Sequence, residues 1–371
     1  MPLQEVGAHH AAMQVDGHAE PRFESVRETF VEIVGTQAGT GAALAVWHGG
    51  RWVIDVWGGY RDAERTKPWE IDNVVMTYSV TKPFAAVCAL LLVDRGLLEL
   101  DAPVNRYWPG FESTADVRQV LSHQAGIVVL DDPAETGLFY DWPAMCARLE
   151  KQPSSWVPGT AIGESALFYG HLVGELVRRV DGRSLGAFLR DEVCAPLGLE
   201  FAIGLDARQR ARAVELTGLE AILAEPESRP PLYQRAMTNP PGARDAQVVN
   251  SEVFRAAEIP AINGHGTARG VAGLYAALLG GQLLSPRLLS EATTAQATGI
   301  DLVMGGPERS WGLGFSVDDD GFGMGGTGGS IGWASVVGDY AFGFVTGSMG
   351  NHDRADQLEN AFRSCLGLAP I

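Results

Sequence analysis

The stretch TYSVTKPFAAV, residues 77–87, contains a serine and a lysine three residues apart, where a long apolar helix is predicted to begin. The apolar run continues to a typical helix terminator, Gly96, so we predict a helix over Ser79–Arg95. Residues at positions i and i+3 share one face of a helix, so Ser79 and Lys82 should be neighbours. The helix dipole would also place positive charge beside Ser79.

Two interpretations of this spacing are open. A serine hydroxyl is a poor nucleophile unless a base takes its proton, and a lysine can be that base only if burial lowers its pKa. A lysine inside an apolar helix would meet this condition, so Ser79 and Lys82 could form a nucleophile and its base. Alternatively, Ser79 caps the helix and Lys82 is incidental. Pro83 suits the first turn of a helix in both cases.

The composition is typical of a globular enzyme with a strong negative charge. The chain has 371 residues, 46% of them hydrophobic and 20% charged, and this length suggests two structural units. The net charge of -17 argues against a nucleic acid or an anionic membrane as partner, because both require cationic patches.

The sequence gives no sign of a membrane span, a signal peptide or a cofactor. The apolar run 84–93 has ten residues, whereas a span needs about 18. Residues 1–20 lack the basic start and apolar middle of a signal peptide, so we predict a loose tail and a cytoplasmic protein. The four cysteines are widely spaced, which predicts reduced thiols and no metal site. No phosphate-binding Gly-Lys-Ser/Thr pattern occurs in the Gly-rich segments.

Strand patterns lie at both ends of the chain. Residues 41–62 predict an antiparallel hairpin that turns at His48-Gly49-Gly50. Residues 310–349 predict three strands joined by Gly-rich turns, followed by a closing helix at 354–367.

Helical patterns dominate the middle of the chain, apart from a Pro-rich stretch at 223–245 that predicts a long surface connection. The predicted class is therefore α/β (α+β), an antiparallel sheet flanked by helices with an inserted, mostly helical domain. We assign 21–115 and 246–371 to the sheet domain and 116–245 to the insert.

These motifs together resemble the class C β-lactamase superfamily, and most of all the β-lactamase-related serine hydrolases and family VIII carboxylesterases. The resemblance spans roughly residues 25–365 in matching order. Its motifs are TYSVTKPFAAVCALLLVDRGLLELDAPVNRYWP (77–109), VRQVLSHQAGI (117–127), PGT (158–160), LVGELVRRVDGRSLGAFLRDEVCAPLGL (172–199), GHGTARGVAGLYAALL (264–279) and GFGMGGTGGSIG (321–332).

The resemblance implies a penicillin-binding-type fold and an acyl-enzyme mechanism. By position, Ser79 would be acylated by an ester or amide, and Lys82 would be its base, helped in the family by a tyrosine. The N–H groups of Ser79 and Thr327 would hold the oxyanion.

The sequence departs from the family at the tyrosine. The matching position after PGT holds Glu164, and the nearest tyrosine is Tyr169. Three interpretations are open: Glu164 accepts the proton beside Lys82, Glu164 only neutralises Lys82, or Glu164 is an exposed loop residue and Tyr169 reaches the site instead. A core position on a helix is a further interpretation of Tyr169.

A second departure lies on the strand that lines the site. Met324 replaces the usual lysine or histidine, which favours an apolar or neutral acyl group. Gly326 would let the backbone approach the substrate closely. The alternative is a Gly-rich β-turn with Met324 as core filling.

Three further residues are candidates near the site. Tyr78 is expected as a wall of the site or as core, and His265 as a helix-entry contact near the cleft. His123 matches a structural loop of the family and is expected to pack.

The function predicted from these features is a serine hydrolase that acts on a small-molecule ester or amide. An acyltransferase that passes the acyl group to an amine or alcohol is one alternative. A non-catalytic binding protein with the same fold is another, although the presence of both Ser79 and Lys82 argues against it.

Overall fold

A nine-stranded antiparallel sheet organises the chain, in a computed structural model that describes residues 14–36, 39–222 and 229–371. Its strand order is β1-β3-β2-β12-β11-β10-β9-β8-β7, and β4, β6 and β5 form a second, three-stranded sheet. The strands are β1 (Val15–Ala19), β2 (Ala42–His48), β3 (Arg51–Gly58), β4 (Val75–Met76), β5 (Phe201–Ala202), β6 (His265–Gly266), β7 (Ala297–Gly299), β8 (Arg309–Trp311), β9 (Ser316–Val317), β10 (Gly321–Gly325), β11 (Ile331–Ser335) and β12 (Tyr340–Thr346).

Helices cover both faces of the large sheet and fill the middle of the chain. They are α1 (Glu24–Thr36), α2 (Thr81–Asp94), α3 (Val117–Leu121), α4 (Trp142–Lys151), α5 (Tyr169–Asp181), α6 (Leu185–Leu189), α7 (Ala195–Leu197), α8 (Ala207–Arg210), α9 (Leu219–Ile222), α10 (Pro231–Thr238), α11 (Ala246–Val249), α12 (Glu252–Ala256), α13 (Ala268–Leu279), α14 (Pro286–Ala292) and α15 (Asp353–Leu366). The predicted fold class, an antiparallel sheet with flanking helices and a mostly helical middle, is confirmed.

The hairpin predicted at 41–62 is present as β2 and β3, which turn at Gly49 and Gly50. Both glycines have positive φ (57° and 83°), which a residue without a Cβ adopts at little cost. The closing helix predicted at 354–367 is present as α15.

Three expectations about the fold need correction. The loose tail predicted for residues 1–20 is wrong at 15–19, where β1 pairs with β3 at the sheet edge; residues 1–13 lie outside the described residues. The region 310–349 contains five strands rather than three, because short Gly-rich turns divide it further. Within the predicted surface connection at 223–245, residues 231–238 form α10; residues 223–228 lie outside the described residues.

Two apolar cores lie on opposite faces of the large sheet. The smaller packs α1 and α15 against one face, and the larger gathers α2, α5 and α13 with the other face and the middle helices. A carboxyl group is buried beside the smaller core. Glu359 of α15 is only 2% exposed and accepts a hydrogen bond from the Tyr340 hydroxyl. Among the described residues, no helix has both the length and the apolar character needed to cross a membrane.

Candidate active site

Ser79 lies on a 3-10 turn, Tyr78–Val80, that leads directly into α2. The predicted start of the helix is therefore correct to within one turn. Tyr78 is buried and has a φ of 49°, a left-handed conformation that is costly for a residue with a Cβ. Its hydroxyl donates to the carbonyl of Ala243 at 3.0 Å, which holds the turn in place. The turn aims Ser79 into an open cleft.

Lys82 is fully buried, and its amine faces Ser79 across one helical turn. Its Nζ donates to Ser79 Oγ at 2.7 Å and to the carbonyls of Ala166 and Ala261 at 3.2 Å each. The two carbonyls come from separate segments of the chain, so the amine is held from several sides. The expected serine–lysine contact is thus present in the structure.

Glu164 completes a three-residue cluster with Ser79 and Lys82. Its Oε1 lies 3.0 Å from Lys82 Nζ and accepts a hydrogen bond from Ser79 Oγ at 3.3 Å. The residue is only 4% exposed, so the interpretation of Glu164 as an exposed loop residue is wrong. Because the carboxylate contacts both partners, it occupies a position from which it can exchange protons with either.

Burial and mutual attraction set the protonation of this pair. Burial lowers the pKa of Lys82, while the neighbouring Glu164 carboxylate opposes that change. Burial would raise the pKa of Glu164, but the Lys82 ammonium group, with further contributions from His123 and Arg309, holds that pKa below its usual range. The amine is therefore easier to deprotonate than a surface lysine, and the carboxylate stays charged.

Asp301 fixes the segment that carries Glu164. This fully buried carboxylate accepts the backbone N–H of Glu164 at 3.0 and 3.1 Å through its two oxygens. It also accepts the N–H groups of Val303 at 2.9 Å and Met304 at 2.8 Å. One side chain therefore joins the 300–304 turn to Glu164. No sequence motif marks Asp301.

The end of β10 passes directly against the turn that carries Ser79. A Cβ on Gly326 would lie 2.1 Å from the carbonyl oxygen of Thr77, so only glycine fits at this contact. Thr327 follows and lines the cleft beside Ser79. Among the hydrogen bonds of the described residues, none is donated by the backbone N–H of Ser79 or of Thr327. Both N–H groups are thus available to a ligand in the cleft.

Met324 belongs to the wall of the cleft. It is 5% exposed and packs with Ile162 and Trp311 in a small apolar cluster. Met324 thus belongs to strand β10, which fits the interpretation of a strand that lines the site. The Gly-rich turn begins after this strand and does not include Met324.

The cleft in front of Ser79 has a volume of about 450 Å³. Its lining combines Ser79 and Glu164 of the cluster, residues 325–328, Gly350, and residues from α10 and from the region between β7 and β9. Besides those already named, it is lined by Leu167, Arg229, Tyr233, Met237, Arg244, Ile262, Arg309, Ser316, Asn351 and His352.

Three arginines of this lining were not anticipated from the sequence. Arg229 and Arg244 lie over the ring of Tyr233, at 4.6 and 5.7 Å from its centroid. Arg309 lies over Trp311 at 5.9 Å. They come from segments without a recognisable motif, and only tertiary packing brings them to the cleft.

Two predicted site residues lie away from the reacting groups. The Tyr169 hydroxyl donates to the carbonyl of Leu121 at 3.2 Å inside the core, so Tyr169 does not take the tyrosine position of the family. His265 is buried in β6, where its Nδ1 donates to the carbonyl of Asn263. Burial lowers the pKa of His265 to about 3, which keeps it neutral.

His123 packs as expected. It is buried against Tyr169 and Trp311, and its Nδ1 accepts the N–H of Ser165 at 3.2 Å. Burial lowers its pKa to about 3. His123 therefore supports the backbone next to Glu164 without carrying charge. Within the described ranges, no group of three or more His, Cys, Asp or Glu side chains is arranged to hold a metal ion.

Comparison with known proteins gives one family over nearly the whole chain. The profile of the Beta-lactamase family matches residues 26–364. The chain is 33% identical to Esterase/beta-lactamase LipL of Mycobacterium tuberculosis, over 90% of this chain and 83% of the relative. It is 26% identical to Esterase EstB of Burkholderia gladioli, over 69% of each chain.

A solved structure supports the same assignment. The crystal structure of a family VIII carboxylesterase superposes with a TM-score of 0.87 at 33% identity, covering 95% of this chain and all of the other. The sequence-based resemblance is therefore confirmed.

Proposed function

The chain belongs to the beta-lactamase family, and on that premise we propose that it is a carboxylesterase whose nucleophile is Ser79. The observation that carries the proposal is the buried contact of Ser79 with both Lys82 and Glu164 at the floor of an open cleft. A capping serine would need neither partner, and Ser79 is not the N-cap here: Thr77 precedes the 3-10 turn and Val80 precedes α2. The family and its esterase relatives also make this chain an enzyme, so a non-catalytic binding protein is not retained.

In the first half of the reaction, Ser79 Oγ attacks the carbonyl carbon of the ester. The proton of the hydroxyl passes to Lys82 in its neutral form, in which the amine has already lost one proton to solvent; Nζ lies 2.7 Å from Oγ, and burial favours the neutral form by lowering the pKa of Lys82. Glu164 holds the amine and shares the transferred charge. The same proton is then returned to the departing alcohol, which leaves an acyl group on Ser79.

The negative charge that develops on the carbonyl oxygen needs fixed donors. The N–H groups of Ser79 and Thr327 are suited to this role, because both residues line the cleft and neither N–H donates a hydrogen bond among the described residues. Donors of this kind usually supply the largest single contribution to catalysis.

In the second half, water attacks the acyl group and the Lys82–Glu164 pair handles the proton in the reverse sense. An alcohol or amine in place of water would give acyl transfer. Glu164 stands at the position where the family has a tyrosine. Membership of the family therefore does not determine whether this enzyme prefers water or an alcohol or amine as acceptor. We propose hydrolysis as the main outcome and a small-molecule ester or amide as substrate.

Intact-protein mass spectrometry after addition of a fluorophosphonate tests the nucleophile. We expect one label on the wild type and none on Ser79→Ala. Ser316→Ala is the matched control, since Ser316 also lines the cleft and should leave labelling unchanged. Labelling of Ser79→Ala at the wild-type rate would refute the assignment.

Product analysis separates hydrolysis from transfer. The wild type is given p-nitrophenyl acetate with and without an added primary alcohol or amine. We expect acetate as the main product in both cases. A new ester or amide as the main product would instead identify the enzyme as a transferase.

A further inference from the structure

A further cavity lies against α4 and α5. Its volume is about 560 Å³, a size typical of pockets that bind small molecules. Its wall is formed by the 3-10 turn Thr136–Tyr140, by α4 and by the second half of α5, together with Ser184 and Glu258. Among the described residues, this cavity and the cleft in front of Ser79 have no lining residue in common. We call it the α4–α5 pocket.

Part of the wall of this pocket is aromatic. The three rings belong to Phe139, Tyr140 and Trp142. Trp142 is fixed on its buried side, because its Nε1 donates to Glu175 at 2.8 Å and its ring centre lies 4.7 Å from that of His171. A Cβ on Gly174 would lie 2.6 Å from the same ring, so the indole packs directly on the backbone of α5. The pocket therefore offers a ligand a rigid, flat apolar surface.

Four charged side chains of the wall neutralise one another. Glu175 is only 1% exposed and accepts hydrogen bonds from Arg178 and Arg179, each at 2.7 Å. Arg179 also lies 3.5 Å from Glu150, so two carboxylates and two guanidinium groups form one network. An anionic ligand would have to compete with these carboxylates for the arginines.

A fifth charged side chain of the wall, Glu258, has no cationic partner among the described residues. Its carboxylate accepts the Ser184 hydroxyl at 2.7 Å and the N–H of Gly186 at 2.9 Å. Both donors are uncharged, so within the described ranges the pocket keeps one formal negative charge that no cation balances. The net charge of -17 adds a general attraction for cations.

The Glu258 carboxylate and the Trp142 ring lie on either side of one short stretch of backbone. A Cβ on Gly186 would lie 2.7 Å from Glu258 Oε1. A Cβ on Gly174, which packs beneath Trp142, would lie 3.4 Å from the Cβ of Leu185, the residue before Gly186. Since consecutive Cα atoms are about 3.8 Å apart, one small ligand can contact the ring and the carboxylate together.

We propose that the α4–α5 pocket is a second binding site, for a small organic cation in which an ammonium group is joined to an aromatic body. The aromatic body packs against Trp142, and the ammonium group donates a charge-assisted hydrogen bond to Glu258. The site is separate from the proposed esterase reaction, because it shares no described lining residue with the cleft.

Two probes of matched length test the class of ligand. They are 4-phenylbutylamine, which is cationic at pH 7.5, and 4-phenylbutanol, its neutral counterpart. Isothermal titration calorimetry on the full chain gives the Kd of each probe. We expect the amine to bind at least about fivefold more tightly than the alcohol.

Glu258→Gln tests the charge, because it removes the negative charge and keeps the size of the side chain. It should weaken binding of the amine about fivefold and leave the alcohol within about twofold. Glu28→Gln is the matched control. It removes the same charge from the exposed surface of α1, which packs on the opposite face of the large sheet. The control should bind both probes as the wild type does.

Trp142→Leu tests the aromatic wall. It should weaken both probes about fivefold, since both carry the same phenyl ring. Circular dichroism and Tm check that the three variants are folded. If Trp142→Leu does not fold, the comparison of Glu258→Gln with Glu28→Gln decides by itself.

The proposal is overturned if the amine binds no more tightly than the alcohol, or if neither probe binds. It is also overturned if Glu258→Gln and Glu28→Gln change the Kd of the amine equally, because the attraction would then be a property of the whole charged surface. An unchanged Kd of the amine in folded Trp142→Leu would place the ligand elsewhere, with the same consequence. None of the substituted residues lines the cleft, so these outcomes leave the esterase function standing.

Discussion

Asp301 holds Glu164 in position through the backbone, with both carboxylate oxygens accepting the same N–H at 3.0 and 3.1 Å. The two residues are 137 positions apart in the chain, and Asp301 is completely buried. Glu164 itself contacts Ser79 and Lys82, the proposed nucleophile and base. The geometry of the candidate site therefore depends on a residue that never touches a substrate.

Asp301→Asn should lower kcat by about tenfold while KM changes little. The substitution replaces one acceptor oxygen with an amide donor that faces backbone N–H groups, and a misplaced Glu164 would slow proton transfer. Steady-state kinetics measure the effect. Asp318→Asn is the control, because exposed Asp318 accepts the N–H groups of Asp320 and Gly321 in a turn away from the cleft. Equal losses in kcat for both variants would show that Asp301 has only a general structural role.

Glu164→Gln should lower the rate of acylation by at least about tenfold, because a general acid/base group typically contributes about a hundredfold or more. Stopped-flow release of p-nitrophenol measures acylation directly. Gln234→Glu, a change of equal size on the exposed surface of α10, serves as control. An unchanged acylation rate in Glu164→Gln would remove Glu164 from the mechanism.

The pH profile of Glu164→Gln identifies which group is the base. The Glu164 carboxylate opposes the effect of burial on Lys82, so its removal should lower the pKa of Lys82 further. If Lys82 must be neutral to act, the rising limb of kcat/KM against pH moves to lower pH in the variant. If the carboxylate itself is the base, the wild-type limb follows Glu164 and disappears in the variant.

Gly326→Ala should reduce kcat/KM by about a hundredfold or more. The new Cβ would overlap the Thr77 carbonyl, and the turn before Ser79 or the strand with Thr327 would have to move. Gly299→Ala is the matched control, since its Cβ would meet only Ile162, at 4.0 Å. Assays on p-nitrophenyl acetate give the comparison. Near-normal activity of Gly326→Ala would mean that this approach of β10 to the Ser79 turn is not needed.

Glu359 should contribute a loss of stability as the pH rises from about 5 to 7, opposite in sign to the contribution of the buried, neutral His123 and His265 over the same range. Burial raises its pKa from 4.5 to about 7. In this pH window the unfolded chain ionises Glu359 while the folded chain keeps its proton, so unfolding becomes easier as the pH rises. The effect is at most about 3 kcal/mol in the free energy of unfolding.

Glu359→Gln should remove that part of the pH dependence, because the amide does not titrate. Urea denaturation at pH 5 and at pH 7.5 measures the difference for both proteins. A change in stability between these pH values that is the same in wild type and variant would exclude a contribution from Glu359.

The sequence was most informative where the chemistry depends on local geometry. Ser79 and Lys82 are one helical turn apart, so their contact followed from spacing and from an apolar helix. Glu164 could be placed by its distance from the PGT motif, although spacing did not show which partner it would contact. The hairpin at Gly49 and Gly50 was equally accessible, because two glycines allow the positive φ values that a tight turn between two strands requires.

Other features depended on packing between distant segments and were missed or misjudged. Asp301 and Arg309 reach the site from segments without a motif. Tyr169 is close in sequence to Glu164, and His265 lies in one of the family motifs. The orientation of their elements nevertheless directs both side chains into the core. The division into a sheet domain and a helical insert stays a prediction, and β5 from the insert pairs with β6 outside it.

The strand order has a consequence for synthesis on the ribosome. Strand β2 ends at His48, but its neighbour β12 ends only at Thr346, so the two strands cannot pair until most of the chain has been made. Ser79 likewise shares the cleft with residues that follow β10. A nascent chain can form its middle helices early, yet Ser79 lacks the second proposed oxyanion donor until the segment with Thr327 emerges. Acylating activity should therefore arise only after residue 327 has left the ribosome, and a ribosome stalled before that residue would hold an inert polypeptide.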